Sequence, residues 1–227
     1  MTVGDGRERG RKGAALRVKY FFNMLVPGLD EIREHQPIVP PLVIGWILVL
    51  VSTVSLRPLM LSSLSGDRAA MAQGVEALMW LLAVAAPLIQ LLKAGVYTAL
   101  GWAVLVLANS SRRIRPIFSV LLYGEAILAA QGVLLALFLH YTTGGSVSSP
   151  DELQVSLGLA ALVPASQPLL LAVAQGLSVV HLLWFAFLVM ALGRCEGPER
   201  RPSLALACFF WGVTLSFAAA RSWIALG

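Results

Sequence analysis

Long apolar stretches separated by short polar turns organise this chain. Five of them stand out, at Val39–Ser55, Ala77–Leu107, Ile117–His140, Pro168–Leu192 and Leu204–Trp223. A hydrocarbon core of roughly 30 Å takes about 20 helical residues at about 1.5 Å each, and four of the runs approximate that length. The run Ala77–Leu107 is too long for one upright helix and short for two, with Pro87 and Lys93 interrupting its middle.

Charge separates the two readings, because cytoplasmic loops retain arginine and lysine during insertion. With five spans, the inner side receives Arg7, Arg9, Arg11, Lys12, Arg17, Lys19, Arg33, Arg112, Arg113, Arg115, Arg194, Arg200 and Arg201, while the outer side receives Arg57, Arg68 and Arg221. Splitting Ala77–Leu107 into a hairpin places Arg112, Arg113 and Arg115 outside and leaves Lys93 as the inner anchor. The pattern therefore predicts one long, tilted helix kinked near Pro87, where proline removes a backbone donor and clashes with the preceding turn. An inner N-terminus and an outer C-terminus follow.

Two further helices are expected that do not span. Val18, Phe21, Phe22 and Leu25 recur at i, i+3, i+4 and i+7 beside Arg17 and Lys19, the pattern of a short helix lying in the inner interface. On the outer side, Ser149-Pro150-Asp151-Glu152 offers an N-cap, a proline at the first helical position and acids in the first turn. Pro164 closes that segment too early for it to cross. The expected fold is thus all-α and polytopic: residues 1–38 form a basic tail with an interfacial helix, and residues 39–227 form a five-helix transmembrane domain.

Composition agrees, with 58% hydrophobic against 13% charged residues and a mean hydropathy of +0.79. The formal net charge of +5 raises nucleic acid as a partner, but the basic residues cluster beside apolar runs without aromatic interleaving. Anionic lipid headgroups are the better match for Arg7, Arg9, Arg11, Lys12, Arg17 and Lys19. Cys195 and Cys208 fall in an inner loop and inside the last run, which leaves no extracellular disulfide framework. No short cleavable h-region precedes Val39, so the first run is expected to be a retained start-transfer helix. Arginine greatly outnumbers lysine and alanine, leucine and valine dominate, which points to a GC-rich bacterial source and its plasma membrane.

Three phrases resemble the Yip/Yif family of five-span membrane proteins. NMLVPGLDEIREHQPIVPPL, Asn23–Leu42, is similar to the family's pre-helix element. RRIRPIFSVLLYGEAI, Arg112–Ile127, is similar to its basic turn and third-span entry; SLGLAALVP, Ser156–Pro164, with HLLWFAFLVMALG, His181–Gly193, resembles the fourth span and its ending. The chain departs from the family at Asn109–Arg115, which lacks a glycine pair, and at His181 and Leu182. The resemblance implies an accessory membrane protein acting through other membrane proteins.

Ionisable groups at membrane depth are costly and need a partner or a wet cavity. Lys93, Glu125 and His181 are the three candidates, placed at comparable depth by their distance from the inner ends of their runs. One reading makes Glu125 a proton or cation carrier tuned by Lys93 and His181. The plainer and preferred reading is a structural Lys93–Glu125 pair, with His181 bonded to a neighbouring helix. Gln90, Gln131 and Gln175 could extend the layer.

Ser178 and His181 share a helix face, but a serine-histidine contact without an orienting acid or an oxyanion donor is no acyl-transfer site. Neither HExxH, a paired-aspartate metal motif nor a P-loop occurs, so no enzymatic activity, cofactor or metal is expected. Gly212, Ser216 and Ala220 recur every four residues, and Gly132 with Ala136 does the same. Such faces suit close helix packing within the chain, or oligomerisation. The expected function is a non-enzymatic accessory or membrane-organising protein that binds membrane lipids and other membrane proteins or its own copies. The alternative is a subunit of a permeation pathway for an ion, small solute or lipid.

Overall fold

The computed structural model describes residues 36–64, 69–107, 114–144, 177–195 and 200–224, with the single positions 147, 163, 170 and 174. The chain is all-α there, with five helices: α1 (Val39–Ser63), α2 (Ala69–Leu107), α3 (Ile114–Thr143), α4 (Val179–Cys195) and α5 (Arg200–Ile224). The interfacial helix around Val18–Leu25, the outer helix at 149–164 and the basic residues Arg7, Arg9, Arg11, Lys12, Arg17 and Lys19 lie outside the described residues.

Three of the helices, α1, α2 and α3, are long and apolar enough to cross a bilayer. Each overruns its apolar stretch: α1 continues past Ser55 to Ser63, α2 begins at Ala69, and α3 extends to Thr143. Helix does not stop where hydropathy falls, because alanine, leucine, methionine and glutamine all propagate it. The 39 residues of α2 form one unbroken helix with Pro87 inside it, so Ala77–Leu107 is not a hairpin.

The run Pro168–Leu192 is not one helix. Leu177 and Ser178 lie outside α4, and Ser178 is its N-cap, with the Oγ accepting the backbone N–H of His181 at 3.3 Å. A serine at this position satisfies a donor that the first helical turn would otherwise leave unpaired.

Cross-helix contacts fix the directions. Trp46 meets Ala83 and Arg57 meets Glu76, so α1 and α2 are antiparallel. Gly132 abuts Ser52 and Leu139 clusters with Leu59, so α1 and α3 run parallel. Tyr97 meets Thr214 and Gly101 abuts Phe210, setting α5 antiparallel to α2. We call the end carrying Arg115 and Arg194 the basic end.

These registers make two tiers. In the tier at the basic end, the second part of α2 packs with α3, α4 and α5 around a large core that includes Ala94, Leu121, Trp184, Phe187, Leu188 and Phe210. In the tier at the far end, α1 packs on α3 around the small core of Leu59, Leu139 and Val147. Ser62 joins the far tier to Val147, its Oγ accepting the Val147 amide at 3.3 Å while its proton is shared between the carbonyls of Leu59 at 2.9 Å and Val147 at 3.3 Å. At the start of α1, the Ser119 hydroxyl of α3 donates to the Pro37 carbonyl at 2.8 Å and holds the entering chain. α3 runs through both tiers, and the start of α1 also reaches the large core through Ile38 and Leu42.

Candidate functional site

The charged layer forms where the tiers meet. From α2, Lys93 Nζ donates to Glu125 Oε2 of α3 at 2.8 Å. Glu125 is buried, whereas the Lys93 side chain retains 41% of its exposure. A carboxylate removed from water needs such a partner, since unpaired burial of a charge costs several kcal/mol. The Lys93 ammonium also stands 5.9 Å from the centroid of the Tyr97 ring, one turn along α2, within the range of a cation–π contact. Tyr97 in turn ties α2 to α5: its hydroxyl lies 3.1 Å from Thr214 Oγ1. The Thr214 proton goes to the Phe210 carbonyl at 3.0 Å, so Tyr97 is the donor.

His181 approaches this layer without joining it by a hydrogen bond. Its Nδ1 is 2.8 Å from Ser178 Oγ on its own helix end. The Ser178 hydroxyl is therefore used twice, accepting the amide of His181 at 3.3 Å and sharing a hydrogen bond with its ring Nδ1 at 2.8 Å. The serine-histidine spacing seen in the sequence is a helix cap. Among the described residues the hydrogen bond of the His181 ring is to Ser178, since α4 begins at Val179 and puts His181 in its first turn.

Of the glutamines, Gln90 is buried and rests on Gly45: a Cβ there would stand 2.7 Å from Gln90 Oε1. Gln131 is half-buried, and Gln175 lies outside the described residues. Among the described residues no three histidine, cysteine, aspartate or glutamate side chains gather as a metal cluster.

The packing residues divide. Gly132 and Ala136 lie within the bundle; a Cβ on Gly132 would be 2.9 Å from the Ser52 Cβ, and Ala136 is buried. On α5, by contrast, a Cβ on Gly212 would meet nothing within 4 Å among the described residues. Ser216 and Ala220 are exposed beside it, on an open groove shared with Phe209, Val213 and Phe217. The closest approaches occur at glycines outside any small-residue repeat: Gly124 under Trp184 and Gly101 under Phe210.

No known family, curated protein or solved structure matches this chain.

Proposed function

We propose that the protein is a multi-pass membrane protein that works by contact, binding partner membrane proteins or lipids, and that it catalyses no reaction. In this reading α4 and α5 cross the bilayer with α1, α2 and α3, the basic end and the N-terminus face the cytoplasm, and the N-terminal arginines and lysines touch anionic headgroups. The loose resemblance to Yip/Yif proteins fits such a role.

One observation carries the reading. The charges that a permeation route would use are occupied inside the chain, with Lys93 closed on Glu125 at 2.8 Å and His181 on Ser178. Meanwhile Leu81, Leu82, Val84, Leu88 and Leu92 leave a broad apolar surface on α2. The second reading, a permeation subunit, draws on the 41% exposure of Lys93, which leaves one side of the layer open.

Purification in mild detergent, with mass spectrometry of the proteins and lipids that follow, tests the first reading. Deleting residues 1–15 should preserve insertion and weaken that association. If instead the purified protein alone moves a solute or lipid across vesicles, and Glu125→Gln abolishes the movement while the deletion does not, the permeation reading replaces it.

A further inference from the structure

Proline at position 87 cannot donate to the carbonyl of Ala83, which a regular α-helix would engage through the amide four residues on. In an apolar setting that carbonyl must find another donor, and membrane helices that carry proline are commonly completed by neighbours. Here the neighbour is identified: the indole Nε1–H of Trp46, on α1, donates to the Ala83 carbonyl at 3.1 Å. A side chain of one helix closes the backbone gap of another.

The ties on either side of Pro87 are unequal. Towards the basic end, α2 is held by the Lys93–Glu125 pair, the Tyr97–Thr214 bond and the seat of Phe210 on Gly101. Towards the far end, residues 71–82 include no buried position. There the identified polar ties go to α1 alone: Trp46 to Ala83, and Arg57 to Glu76, whose Nε–Oε1 distance is 2.8 Å. α1 itself is fixed to α3 by Gly132 on Ser52, and to the chain beyond α3 by Ser62 on Val147.

We propose that α2 is two rods hinged at Pro87, and that Trp46, seconded by Arg57, is the latch that holds the far rod, residues 69–86, against α1. The rod at the basic end, residues 88–107, is about 30 Å long and could span a bilayer by itself. The far rod is then free to swing without unpacking the large core. Opening uncovers more of the face of α1 around Trp46, which is already partly exposed, and gives the protein a second conformation. The device stands on α1 and α2 alone and holds whichever function the protein performs.

The test uses the full chain with Cys195→Ser and Cys208→Ser and spin labels on paired cysteines, read as distance distributions in lipid nanodiscs. One pair, Met71→Cys with Tyr141→Cys, spans the far rod and the end of α3, both exposed. The control pair, Leu107→Cys with Leu204→Cys, reports on the tier at the basic end. Trp46→Phe keeps the ring and removes the donor. It should raise the population of a longer far-pair distance about fivefold, as the loss of one net hydrogen bond implies, with a further rise on adding Arg57→Glu. The control pair should not change. Adding Pro87→Ala, which restores the amide donor to Ala83, should return the far pair to a single distance. A far-pair distribution unchanged in Trp46→Phe/Arg57→Glu overturns the latch, and so does broadening of both pairs together, which would mean general loosening.

Discussion

Gly124 of α3 lies directly under the indole of Trp184 of α4, so close that a Cβ on Gly124 would stand 2.6 Å from Trp184 Nε1. Trp184 is fully buried within the large core, which also holds the fully buried Phe187 and Leu188, so little room is left for its ring to move. Gly124→Ala is therefore expected to lower stability by about 1–3 kcal/mol, the usual range for overpacking. Gly212→Ala, with open space around it and a better helix former in its place, should stabilise by up to about 1 kcal/mol. Unfolding in mixed micelles compares the two; equal effects would remove the close packing of α3 on α4 from the account.

The Lys93–Glu125 pair should respond asymmetrically. Lys93→Met strands a buried carboxylate, whereas Glu125→Gln strands an ammonium that is already partly exposed and can extend away. Both single changes should destabilise, Lys93→Met more, with losses up to about 3–5 kcal/mol. The double change should cost less than the two singles added. Strict additivity in the same unfolding assay would mean that the two charges do not interact.

Removing the cap hydroxyl of Ser178 tests its part in starting α4. Ser178→Ala should cost about 1 kcal/mol, while Ser178→Gly, which adds no charge to this buried position and is tolerated at a cap, should cost clearly less. A substitution series in which alanine and glycine rank equally would assign the Ser178–His181 contact some role other than capping.

Orientation is open to chemical labelling. With Cys195→Ser and Cys208→Ser as background, an impermeant thiol reagent on intact cells should modify Tyr141→Cys, at the far end of α3. It should leave Arg115→Cys, at the basic end, untouched until the membrane is opened. Labelling of Arg115→Cys in sealed cells would reverse the topology.

Much of this architecture was legible in the residues. The single helix through Pro87 follows from the charges after it, and the Lys93–Glu125 pair from two opposite charges at similar depth in adjacent runs. The start of α4 was not legible, since hydropathy runs on without a break from Pro168 while a single serine hydroxyl caps the helix that begins at Val179. Small-residue spacing marked the close packing of Gly132 and Ala136 but not the tightest contacts. Gly45, Gly101 and Gly124 receive Gln90, Phe210 and Trp184 from other helices, and no periodicity within one helix can report a partner's bulk. The evenly spaced Gly212, Ser216 and Ala220 face an open groove instead.

The parallel pairing of α1 with α3 also imposes an order on assembly. Pro37 waits for Ser119, 82 residues later in the chain, and Ser62 for Val147, 85 residues later. At a synthesis rate of about 5–20 residues per second, α1 spends roughly 4–16 s without its principal neighbour. During that interval α2 is the only described helix already made that can shelter it, and the Trp46–Ala83 and Arg57–Glu76 contacts are the ones within reach. The bonds that hold the finished hinge shut are thus the first tertiary contacts available to the nascent chain, a helical pair formed in the membrane before the bundle has a core.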